Sequence, residues 1–97
     1  MEMVVKYNVN RSQVEATFIG PTNERITYIL DLPITTNMDA AIYKLAKHKF
    51  DGRYPLSIDA ILYVLKKIFV KLDAKDIPSI KDKINKIRLG EVSEYFN

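Results

Sequence analysis

The chain has 97 residues, 47% of them hydrophobic and 28% charged, with a net charge of +3 and neither cysteine nor tryptophan. That length supports one core and excludes two, and that apolar share excludes a disordered or fibrous chain. Without cysteine there is no disulfide framework, no zinc-thiolate centre and no thiol nucleophile.

The first third of the chain alternates. Met3, Val5, Tyr7 and Val9 share one side of a strand, with Val4, Lys6 and Asn8 on the other. The polar stretch "NRSQ" at 10–13 is a turn. A second alternation places Val14, Ala16 and Phe18 opposite Glu15 and Thr17. "GPTNE" at 20–24 joins a permissive Gly, a φ-locked Pro and an Asn, so it turns the chain again. Ile26, Tyr28, Leu30 and Leu32 then alternate with Arg25, Thr27 and Asp31. Three strands joined by short turns predict an antiparallel meander with one apolar face.

Pro33 ends the third strand, and the spacing switches to helical. Thr36 or Asn37 is the expected N-cap, with Asp39 in the first turn and Met38, Ala41, Ile42, Leu45 and Ala46 facing inward. "DGRYP" at 51–55 is expected to stop this helix, with Gly52 as its left-handed end. Ser57 caps a second helix predicted over 57–75. Its stripe of Ile58, Ile61, Leu62, Val64, Leu65, Ile68, Phe69 and Leu72 is wide enough for the centre of the core. A third helix is expected to start between Asp76 and Ser79, where "SIKD" resembles a capping box, and to run to Gly90 along Ile77, Ile80, Ile84 and Ile87. The order predicts a single α+β domain over 1–97, a three-stranded antiparallel meander followed by three helices packed on one face of the sheet.

The second helix has apolar residues to spare. On the helical wheel Tyr63, Lys66, Lys67 and Val70 fall roughly 140–240° away from Ile61 and form a second stripe facing away from the core. Such a stripe is covered by another part of the same chain, or it meets a partner with Tyr63 and Val70 as anchors and the lysines as rim. Tyr95 and Phe96 in the terminal "EYFN" would help if the tail is free. This predicts a small non-enzymatic protein-interaction module, a homodimer or a subunit of a larger assembly, acting through the outer face of helix 57–75.

Charge suggests the alternative. Residues 1–36 carry four acids against three bases and residues 76–97 four against four, whereas residues 37–75 carry eight bases against four acids. Lys44, Lys47, Arg53, Lys66, Lys67 and Lys71, with tyrosines between them, have the residue types that neutralise phosphate and stack on bases. A nucleic-acid binder is therefore the second reading, with no helix-turn-helix spacing to support it.

No catalytic signature stands out. His48 is the single histidine, the three glycines stand alone, and Asp73 and Asp76 read as a helix end and a helix cap better than as a magnesium site. No metal, cofactor or small-molecule substrate is expected. The start "MEMVVK" is too short an apolar run for a signal peptide, and the longest run, "AILYVL", is far below the roughly 20 residues that span a bilayer. The expected location is cytoplasmic, away from membranes. The isoleucine- and lysine-rich composition also suits a protein of a virus or mobile element.

Overall fold

In the computed structural model, which describes residues 2–90, the alternating segments become three strands, β1 (Glu2–Asn8), β2 (Gln13–Ile19) and β3 (Arg25–Asp31). They pair antiparallel in the order β1-β2-β3, with Met3 opposite Phe18 and Phe18 opposite Ile26 in an unbroken register. Tyr7, Val14, Ala16 and Phe18 are buried on the inner face, and Met3, Val5, Tyr28 and Leu30 pack against them. The first turn is held by the Asn8 side chain, which accepts the Arg11 N–H at 3.1 Å, and by Ser12 at φ 53°. In the second, the Gly20 N–H donates to the Glu24 carbonyl at 2.9 Å. The Thr22 hydroxyl donates to the Glu24 carboxylate there and holds its pKa below the ordinary value.

Helix α1 (Met38–Lys47) begins where Asn37 accepts the Ala40 N–H at 2.8 Å. It ends earlier than expected. His48 is extended at ψ 137°, and Lys49–Phe50 (β4) pairs with Tyr54–Pro55 (β5). Asp51 and Gly52, at φ 55° and 70°, make the mirror-image turn that an Asp-Gly pair favours. Gly52 therefore turns a hairpin and does not cap a helix. The hairpin buries Phe50 to 1% exposure beneath the sheet, its ring centroid 6.5 Å from that of Tyr28.

Helix α2 (Ile58–Ile68) is capped by Ser57, whose hydroxyl accepts the Ala60 N–H at 3.1 Å. It too is shorter than the 57–75 expected. Phe69 donates the last helical bond, to Leu65 at 2.7 Å, and then leaves the helix at φ −111°, ψ 85°. Ile68, Phe69 and Val70 are β-branched or aromatic and weak helix formers, so packing decides their conformation, and Phe69 and Leu72 turn back to lie half-buried on the core. A 3-10 turn (Ala74–Asp76) leads into α3 (Ile77–Arg88), with Pro78 in its first turn. Ser79 lies inside α3, so it is not the cap; Asp76 stands there, its carboxylate accepting the Asp73 N–H at 3.4 Å. Leu89, and Gly90 at φ 80°, close the helix.

The result is the α+β arrangement expected, a meander followed by three helices, with the small hairpin inserted between α1 and α2. Met38 and Phe69 line one groove and Ala46 and Pro55 another, so α1 and α2 run antiparallel. Lys83 pairs with Asp39 at 3.2 Å, and Arg88 donates to the Ala46 carbonyl at 3.0 Å, which sets α3 parallel to α1. Ile42, Leu45, Ile61, Val64, Leu65, Ile84 and Ile87 meet between them, fully buried.

Candidate functional site

The shortened α2 divides the stripe proposed from the sequence. Tyr63 remains on the helix, 41% exposed, with the Lys67 ammonium 5.4 Å from its ring centroid, and Lys66 is exposed beside them. Val70 is not on the helix at all. The turn after Phe69 carries it to 86% exposure at the mouth of a groove of about 350 Å³, lined also by Met38, Ile68, Phe69, Leu72 and Asp76, with Lys71 at its side. Neither Tyr63 nor Val70 is covered by another described part of the chain. The lining supplied by Met38, Phe69 and Leu72 was hidden in the sequence because all three fell on core-facing stripes. Tyr95 and Phe96 lie outside the described residues.

The basic residues do not gather into one patch. Antiparallel packing sends Lys47 to one end of the helix pair, where it lines a groove of about 530 Å³ with Ala46, Lys49, Pro55 and Arg88. Lys66, Lys67 and Lys71 stand at the opposite end. An α-helix rises about 1.5 Å per residue, so the length of α1 separates the two groups by about 15 Å. Lys44 is engaged with the Asp31 carbonyl at 3.4 Å. Arg53 pairs with Asp51 at 3.0 Å and stacks over Tyr54 at 5.2 Å, with Asp51 holding its pKa above the ordinary value. Lys44 and Arg53 are thus tied to local partners, and Lys47 is set at the far end of the helices from Lys66, Lys67 and Lys71.

Two side chains prove more structural than the sequence suggests. His48 lies edge-on to Phe50 at 4.5 Å, half-buried, and desolvation lowers its pKa. Arg88 donates to the Ala46 and Leu56 carbonyls at 3.0 and 2.6 Å, and burial pulls its pKa below the usual arginine value while leaving it charged. Among the described residues no three of His, Asp and Glu converge as metal ligands, and no helix is long and apolar enough to cross a membrane.

The chain matches no protein-family model, no curated protein and no solved structure. Function must be read from these surfaces.

Proposed function

We propose that this chain is a small non-enzymatic protein-interaction module working in the cytoplasm as part of an assembly. It receives a protein partner on the outer side of α2 and in the groove at its end. The observation that carries this reading is Val70, a large aliphatic side chain 86% exposed on a structured turn beside an apolar groove. Exposed apolar residues scattered singly need no explanation, but one set beside a concave apolar lining supplies both halves of a docking contact. Tyr63 adds an amphipathic ring, one of the residue types enriched at the energetic centre of interfaces. Lys66, Lys67 and Lys71 flank the site, so the partner is a segment with apolar anchors and acidic flanks.

The test is affinity capture with the tagged chain, comparing the parent with a Tyr63→Ser, Val70→Ser double variant and a Lys66→Ala, Lys67→Ala, Lys71→Ala triple variant. The expected result is a protein retained by the parent, lost with the first variant and weakened by the second. Capture of nucleic acid in place of protein, with log affinity falling linearly in log salt, would install the second reading. Protein capture indifferent to the Tyr63 and Val70 changes would refute the site.

A further inference from the structure

The structure carries a second surface, at the open edge of the sheet, and it is self-complementary. Two bonds fix which groups of β3 point outward. The Leu32 N–H donates to the Ser12 carbonyl and the Gly20 N–H to the Glu24 carbonyl, so the pairs 18–26, 16–28 and 14–30 exchange bonds while 19–25, 17–27, 15–29 and 13–31 do not. Arg25, Thr27, Ile29 and Asp31 therefore turn their backbone N–H and C=O groups away from β2, toward the free edge. Natural edge strands are usually blunted by a bulge, a proline or a charge in mid-strand. From Ile26 to Leu30 this edge has none of these, whereas β1, the other edge, carries Lys6 near its middle. Ile26 and Ile29, at 55% and 46% exposed, stand on its two faces.

We propose that a second copy of this chain pairs antiparallel across β3, joining the two meanders into one six-stranded sheet. Charge selects the register. When Tyr28 faces Tyr28 of the second copy, Arg25 lies opposite Asp31, Thr27 opposite Ile29, and Ile26 opposite Leu30, each pair occurring twice by symmetry. The four outward-turned residues all find backbone partners, and both ends close on a cross-strand ion pair. A slip of two residues in one direction sets Asp31 against Asn23 of the turn. A slip in the other sets Arg25 against Pro33, which has no N–H to give. Among the described residues Arg25 has no ion pair, and the Asp31 carboxylate accepts the Gln13 amide at 3.0 Å. Lys44 occupies one lone pair of the Asp31 carbonyl and leaves the other for the second copy. This pairing is independent of the α2 surface and leaves Tyr63 and Val70 uncovered.

The test is the mass of the full chain by light scattering across a concentration series, with circular dichroism confirming the fold of each variant. The parent should reach twice the 11.2 kDa of one chain. Arg25→Glu alone and Asp31→Arg alone should each raise the dimer dissociation constant about tenfold or more, because like charges then face each other twice, and combining them should restore the parent value. Thr27→Pro removes an outward N–H that β2 does not use, so it should yield a folded monomer. A parent that stays monomeric at every concentration overturns the proposal. So does a dimer that ignores Arg25→Glu and Thr27→Pro, or one that dissociates only when Tyr63 and Val70 are changed.

Discussion

A tyrosine hydroxyl in a hydrocarbon core needs a partner, and the Leu32 carbonyl supplies it at 2.6 Å, tying β1 to the chain beyond β3. Tyr7→Phe keeps the ring and leaves that carbonyl buried and unpaired, which should cost roughly 1–3 kcal/mol. In urea the midpoint should fall with an unchanged slope. His48 gives a pH-dependent counterpart. Desolvation lowers its folded pKa below the unfolded value of 6.5, so the unfolded chain takes up the proton first and stability rises with pH through that window. The thermal midpoint of the parent should therefore drop between about pH 7.5 and 5.5, before the carboxylates titrate, and His48→Gln should drop less.

At the scale of elements, the strands and the inward faces of all three helices could be read from periodicity, because burial on one face imposes that period on the sequence. The ends of α1 and α2 could not. Residues 68–72 contain no Gly or Pro to mark a stop, and there the docking of Phe69 and Leu72 overrides local preference. The β4–β5 hairpin did have a signal, the Asp51-Gly52 pair, whose two positive φ values serve a hairpin as readily as a helix end. Arg88 shows the same limit: in the sequence it is one more basic residue near a helix end, while its work is to satisfy carbonyls on two distant segments. Arg88→Ala should lower the unfolding free energy by roughly 1–3 kcal/mol by stranding the Ala46 and Leu56 carbonyls. Arg88→Lys should recover only part of it, since one ammonium does not reproduce the guanidinium fork. Chemical denaturation of the two variants checks both values.

For the whole molecule, the layout separates two kinds of contact. The β3 edge offers backbone hydrogen bonds and a register set by charge, which suits a second copy. The end of α2 offers apolar anchors among lysines, which suits a different protein. Both surfaces had traces in the sequence, in the spare Tyr63 and Val70 and in the alternation of β3, but helix ends and hydrogen-bond parity are three-dimensional facts. The bases of residues 37–75 do not gather into one patch, because antiparallel helices carry Lys47 and Lys71 to opposite ends. The measurement that decides most directly is the Kd of the captured protein for the parent and for the Tyr63→Ser, Val70→Ser variant at low and high salt. A docking site of apolar anchors with a lysine rim predicts a parent Kd that rises only modestly with salt, as the rim pairs are screened, and rises roughly thirtyfold in the variant, as expected when interface anchors are lost. A Kd that climbs steeply with salt and ignores the double substitution would contradict it.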